Sequence, residues 1–290
     1  MNASPLVLES DALEVVLLPG HGARLHRLRA FGVDLLRTPP DAASHATEPF
    51  FWGAYLMAPW CNRARPGPMA IAGRTVDLAP NFPDGSAIHG QVYDRPWRLT
   101  DDGWLTIKGG GDGWPWEYEV RLRPTLAGST LGLSCRLTNR SDQPMPAGLG
   151  LHPWFVRPVE VGLPAETVYR SNADSPARPG PVEGTAFDLR SSTTPPREVD
   201  ATWSSMLRPS VRLRWPDAGI QAELQIRTDA AACVAVATPA DPDATAVEPQ
   251  THGPDGLRRL VNGEPDALKL LPPGEAIGLE LQLHVQRVTS

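Results

Sequence analysis

Three cysteines in 290 residues, Cys61, Cys135 and Cys233, are too few and too widely spaced for a disulfide framework or a metal knuckle. No stretch approaches the ~18 consecutive apolar residues of a membrane-spanning helix. The opening MNASPLVLESD lacks a basic head followed by an apolar core, so it does not read as a signal peptide. Basic charge is short as well. Twenty-seven lysines and arginines against 33 acidic residues leave a net charge of −6, which argues against nucleic acid or an anionic membrane as partner. Helical periodicity is missing throughout. So are a Gly-rich phosphate loop, an HExxH pair and a serine in a strained elbow, which removes the commonest phosphate, zinc and serine-hydrolase chemistries. The expectation is a soluble, cytoplasmic protein in a reducing compartment.

What the chain has is breakers and alternation. Its 32 prolines and 26 glycines are spread along the whole length, interrupting helices and punctuating short strands. Leu131, Leu133, Cys135 and Leu137 alternate with smaller or polar residues before NRSDQP turns the chain. Val211, Leu213 and Trp215 precede a PDAG turn, and Ala222, Leu224 and Ile226 keep the period after it. Ile277 to Val285 alternates again behind the turn LPPGE. ALEVVLLP and ARLHRLRAFGVDLLR read as two or three strands of a meander, while RPGPVEGTAF and SSTTPPREVD read as loops. No linker or internal repeat divides the chain. The pattern predicts an all-β protein, a single large antiparallel β-sandwich spanning 1–290.

Two stretches share one logic. In GLGLHPWF, alternation sends Gly148, Gly150 and His152 to one face and Leu149 and Leu151 to the other. In DATAVEPQTHG, Ala244, Ala246 and Glu248 share a face. Small residues lead to a titratable group, and a proline follows. This predicts two strand ends with cleared floor space, one delivering an imidazole and one a carboxylate, a candidate acid/base pair. Trp154 has the parity of His152 and is a candidate platform for the apolar face of a sugar, as are Phe51 and Phe82 nearby. A third stretch, from APWCNRARPG to SAIHGQ, groups Asn62, Arg63 and Arg65 with His89, whose neighbour Gly90 allows close backbone approach to a ligand. The two histidines, Asp200 and Glu248 include no short-spaced ligand pair, so no metal is expected.

The order of these motifs resembles the aldose 1-epimerases, or galactose mutarotases. Asn62-Arg63, His89-Gly90, His152-Pro153-Trp154-Phe155, Asp200, Glu248-Pro249-Gln250 and Pro273-Gly274-Glu275 follow one another from about Leu17 to the C-terminus. The resemblance implies a galactose mutarotase-like β-supersandwich. It implies no cofactor, a monosaccharide as the small-molecule partner, and a monomer or homodimer. Carried over by position, it makes Glu248 the base that takes the anomeric hydroxyl proton and His152 the acid that protonates the ring oxygen. His89, Arg63, Asn62 and Asp200 become sugar-binding residues. The chain departs from better-studied members at Gly90-Gln91, Val156-Arg157 and Pro249, positions where the resemblance would have substrate hydroxyls read.

Opening a hemiacetal needs a proton removed from one oxygen and another delivered to its neighbour. A carboxylate and an imidazole with ordinary pKa values near ~4.3 and ~6.5 can do both. The implied activity is interconversion of the α and β anomers of a free aldose. Two alternatives remain open at this point. A hexose 6-phosphate 1-epimerase would use Arg63, Arg65 and Arg95 as a phosphate clamp. A sugar-binding module would need no matched acid and base.

Overall fold

The computed structural model describes residues 4–170 and 178–288. Two antiparallel sheets dominate it. The larger has eleven strands. Its middle runs Arg24–Ala30, Ala54–Met57, Gly150–Val156, Ala244–Gln250, Cys233–Ala237, Asp200–Met206 and Ala165–Arg170. The second has eight strands, centred on Trp114–Ala127, Thr130–Asn139, Ala276–Arg287 and Ile220–Thr228. The expectation of an all-β sandwich holds.

Alternation builds the core. Leu131, Leu133, Cys135 and Leu137 point inward from one strand, and Ile277, Leu279, Leu281, Leu283 and Val285 from its partner. On the larger sheet Leu151 and Phe155 face them, with Leu149 just before the strand, in one continuous buried cluster. The sheets interlock closely enough to leave a void of only about 30 Å³ between Leu25, Leu151 and Phe155 on one side and Leu133, Leu224 and Leu281 on the other. Each such leucine contributes about 1.5–3 kcal/mol by leaving water.

The opposite face of the larger sheet carries Tyr55, His152, Trp154 and Glu248. Here the chain leaves the larger sheet after Met57 and reaches the second sheet at Arg98–Leu99, passing through paired segments Arg63–Ala64 and Ala87–Ile88 and a hairpin of Met69–Ile71 with Arg74–Val76. The excursion is pinned at its neck, where Gln91 N–H donates to the Ala58 carbonyl at 2.7 Å. It supplies one wall over the sheet's outer face.

Some local readings need correcting. Pro179–Pro181, inside a segment read as loop, is a strand that pairs with Ala165–Arg170, and Asp200, at the end of the other loop, opens the strand Asp200–Met206 on that strand's other side. A seven-residue helix, Gly256–Asn262, closes on the left-handed Gly263; it is too short to show a helical period. His152 and Glu248 are not at strand ends. Each strand continues through the following proline, Pro153 opposite Ala54 and Pro249 opposite Val234. The glycines do not clear space for a ligand either. A Cβ on Gly150 would lie 2.7 Å from Cys61 Sγ and Met57 Cε, and one on Gly148 would lie 2.4 Å from His252 Cδ2. Gly90 likewise makes room for protein. Its φ is +77°, and a Cβ there would sit 1.9 Å from the Ala58 carbonyl oxygen.

Candidate active site

A cleft of about 360 Å³ opens on the outer face of the larger sheet. His152, Glu248, His89, Arg63, Asn62, Asp200 and Trp154 all line it, although they come from five separate parts of the chain. Sheet register does the central work. Gly150 pairs with Gln250 and Trp154 with Ala246, so the same register sets His152 opposite Glu248. Their side chains meet, Nε2 to Oε1, at 3.2 Å, each only 5% exposed. The second carboxylate oxygen accepts a hydrogen bond from Gln250 Nε2 at 3.0 Å.

Burial shifts both groups toward neutrality. It raises the Glu248 carboxyl to about 8, with the nearby Asp200 adding to the rise and Gln250 and Arg63 opposing it. It lowers His152 to about 3, and the Arg24 charge pushes the same way. The ordinary pKa values expected from sequence do not survive this environment. Both shifts favour the neutral forms, so near neutral pH the pair shares one proton, with burial favouring the carboxyl.

His89 is fixed by its neighbour. Asn62 N–H donates to His89 Nδ1 at 3.3 Å, and His89 N–H donates to the Asn62 carbonyl at 3.1 Å. An accepting Nδ1 places the ring proton on Nε2. Burial first, then His152 and Arg63, hold the His89 pKa well below its usual value, so the ring is a neutral donor. Both residues have left-handed backbones, φ 58° at Asn62 and 63° at His89, a strain that clusters at functional sites. The Asn62 side-chain oxygen accepts from Arg63 N–H at 3.0 Å, which closes the turn.

At the mouth, Arg63 bridges two carboxylates, Asp84 at 2.7 Å and Asp200 at 3.1 Å. Trp154 fills the space over Ala244 and Ala246 and donates from Nε1 to the Phe50 carbonyl at 2.5 Å. The small residues before Glu248 thus seat an indole. Phe51 and Phe82 also line the cleft. The arginines expected to clamp a phosphate do not converge. Arg65 binds Asp255 at 3.3 Å and Arg95 binds Asp112 at 2.6 Å, and neither lines the cleft.

Sequence reasoning missed four contributors. Gln250 lies inside the Glu-x-Gln motif, two residues from Glu248 and on its face. Tyr55 stacks on His152, with ring centres 4.7 Å apart. It belongs to a strand buried on both faces, where alternation gives no signal. Glu198, at φ 60°, and Phe50 complete the rim.

Comparison with known proteins identifies the family. The aldose 1-epimerase family profile matches residues 5–284. The chain belongs to the aldose 1-epimerase family. It is 25% identical over 249 residues to the uncharacterized Escherichia coli protein YphB, covering 80% of this chain and 83% of that one. Among solved structures it resembles a galactose mutarotase-like protein from Clostridium acetobutylicum, with TM-score 0.83 and 15% identity over 97% of this chain and 95% of that one. It also resembles the GalM/aldose epimerase homologue of C. elegans, at TM-score 0.81 and 17% identity over 99% and 100% of the two chains. Galactose 1-epimerase from Lactobacillus acidophilus gives TM-score 0.76 and 17% identity over 100% and 98%.

Within this aldose 1-epimerase family member, the three departures from family pattern lie away from the cleft. Gln91 donates to the carbonyls of Gly111 and Asp112 and accepts from the Tyr118 hydroxyl. Val156 pairs with Ala244, Arg157 approaches Asp243 at 3.8 Å, and Pro249 lies opposite Val234. None of them lines the cleft. No group of three or more His, Cys, Asp or Glu side chains among the described residues is placed to hold a metal ion. Among the same residues no helix is long and apolar enough to cross a membrane.

Proposed function

We propose that this protein is an aldose 1-epimerase that interconverts the α and β anomers of a free, uncharged aldose. The observation that carries this reading is the Glu248–His152 contact at 3.2 Å on the floor of the cleft. The volume, about 360 Å³, sits at the small end of ligand pockets and suits one monosaccharide.

A sugar hydroxyl donating to Glu248 favours the ionised carboxylate, and the proton passes across the contact to His152 Nε2. Glu248 then takes the anomeric hydroxyl proton while His152 gives its proton to the ring oxygen. The bond from C1 to the ring oxygen breaks and the aldehyde forms. Rotation about C1–C2 turns the carbonyl, and the reverse transfers close the ring as the other anomer. The open-chain stage leaves Glu248 protonated and His152 neutral, the form that burial favours. The pair therefore carries one proton at every stage, and no net charge builds up in the cleft.

His89 Nε2–H is a second donor toward the ring oxygen, Arg63 and Asp200 hold ring hydroxyls, and Trp154 faces the sugar's CH groups. Each positioned proton-transfer group is worth about 10²–10⁴ in rate. Polarimetry on freshly dissolved α-glucose, α-galactose, α-xylose and β-arabinose tests the reading. Acceleration over buffer for at least one sugar is expected; the uncatalysed rate for all of them would refute it.

A further inference from the structure

The catalytic pair is the end of a longer row. Leu25 pairs with Ala54, which sets Arg24 opposite Tyr55. Tyr55 pairs with His152, and His152 stands opposite Glu248. Arg24, Tyr55, His152 and Glu248 thus lie side by side across four adjacent strands on one face of the sheet. Arg24 is 1% exposed and makes no ion pair among the described residues. Its guanidinium instead donates to the carbonyls of Pro49 at 2.6 Å, Trp52 at 3.1 Å and Tyr93 at 3.3 Å, with His45 Nδ1 at 3.5 Å. The same group sits 4.7 Å from the centre of the Tyr55 ring. The same ring stacks on the His152 imidazole, also at 4.7 Å and inclined by only 23°, while Phe50, His89 and Tyr93 meet it at wider angles and 5.7–6.3 Å.

A buried cation that forms no ion pair among the described residues is costly and calls for a reason. The position of His152 supplies one. Its Nδ1 has no hydrogen-bond partner among the described residues, so only the Nε2 contact to Glu248 restrains the ring by hydrogen bonding. Ring contacts hold its plane, with Tyr55 stacked on it and Trp154, tilted, and His89, edge-on, each at 4.9 Å. We propose that Arg24 and Tyr55 are positioning residues for the acid/base pair. Arg24 clamps the Tyr55 ring and the 49–52 segment that carries Phe50 and Phe51, and Tyr55 holds the imidazole so that Nε2 meets Glu248. The cation–π contact and the three carbonyl bonds hold one wall and the floor of the cleft in fixed relation. The proposal rests on the epimerase reading for its kinetic consequence, since a misplacement of about 1 Å can cost about 10² in rate.

The experiment is a double-mutant cycle with Tyr55→Leu, Tyr55→Phe and Arg24→Met, followed by polarimetry on the best aldose. Tyr55→Phe keeps the ring and retains kcat within about threefold. Tyr55→Leu lowers kcat about 10–100-fold with KM within about threefold, and so does Arg24→Met. The double variant is no worse than the poorer single one, because Arg24 acts through Tyr55. Losses that multiply would overturn the proposal, as would an unchanged kcat in Tyr55→Leu. A second readout does not depend on turnover. In ¹⁵N-histidine-labelled protein, with His152 assigned by His152→Gln, the Nε2 signal moves in Tyr55→Leu and stays in Tyr55→Phe. An unmoved signal in Tyr55→Leu refutes the positioning role even if the wild type accelerates no mutarotation, an outcome that would separately refute the epimerase reading. Should Arg24→Met not fold, the Tyr55 pair decides the question alone.

Discussion

Arg63 reaches across the mouth of the cleft to Asp200, Nη1 to Oδ2 at 3.1 Å, joining positions 137 residues apart in the chain. Its Nε is held by Asp84, so the guanidinium is fixed before a sugar arrives. Arg63→Ala is expected to raise KM about 10–100-fold and to leave kcat within about threefold, the loss of hydrogen bonds to a charged group. Arg65→Ala, whose side chain turns to Asp255, should change neither constant. Steady-state polarimetry distinguishes them. A fall in kcat for Arg63→Ala at unchanged KM would place this arginine at the reacting atoms instead.

Glu248→Gln and His152→Asn each remove one half of the proton exchange. Each should lower kcat about 10²–10⁴-fold with sugar affinity, measured by calorimetry, changed only modestly. Full activity in Glu248→Gln would mean that another group is the base.

The pair's single proton sets the pH dependence. Above about 8 Glu248 loses it, and no acid is left to protonate the ring oxygen. Below about 3 His152 gains a second proton, and no base remains. Rate after subtraction of the buffer reaction should be flat between these limits and fall outside them, with both limbs belonging to the pair rather than to either residue. Stability follows from the same groups. The folded protein keeps a proton on Glu248 that the unfolded chain has lost above its value of 4.5, so this group's contribution falls as pH rises from 4.5 to about 8. His152 acts oppositely between about 3 and 6.5, where the unfolded chain takes up the proton. Urea midpoints across pH 5–9 should therefore decline less on the alkaline side in Glu248→Gln than in the wild type.

Gly90→Ala tests the neck of the excursion. A left-handed backbone and a Cβ 1.9 Å from the Ala58 carbonyl oxygen leave no accommodation without moving the chain. The expected loss is about 2–4 kcal/mol in urea unfolding, accompanied by lower activity because His89 is the preceding residue. A variant as stable as the wild type would show that the neck can open.

The fold was legible wherever one strand face is buried and the other is wet. Thr130–Asn139, Ser210–Trp215, Ile220–Thr228 and Ala276–Arg287 all announce themselves in this way. The strand Ala54–Met57 does not, since all four of its residues are buried, and Tyr55 went unnoticed with it. The site residues were legible as motifs, and the structure gathers all seven in one cleft. What lay beyond the sequence was the reason for the small residues between them. Gly148, Gly150, Ala244 and Ala246 serve His252, Cys61, Met57 and Trp154, all contacts made by distant chain. The proton distribution was also hidden, because complete burial of an acid and a base together is a property of the folded sheet and of no single segment.

The strand Gly150–Val156 has one side in the sandwich interior and the other under the cleft, so odd and even positions answer to different demands. Leu151 and Phe155 are governed by packing against the second sheet, while His152 and Trp154 are governed by chemistry. Substitutions stepped along this strand should alternate between loss of folding and loss of turnover, residue by residue. Selection could then retune what the cleft accepts while leaving the interior alone.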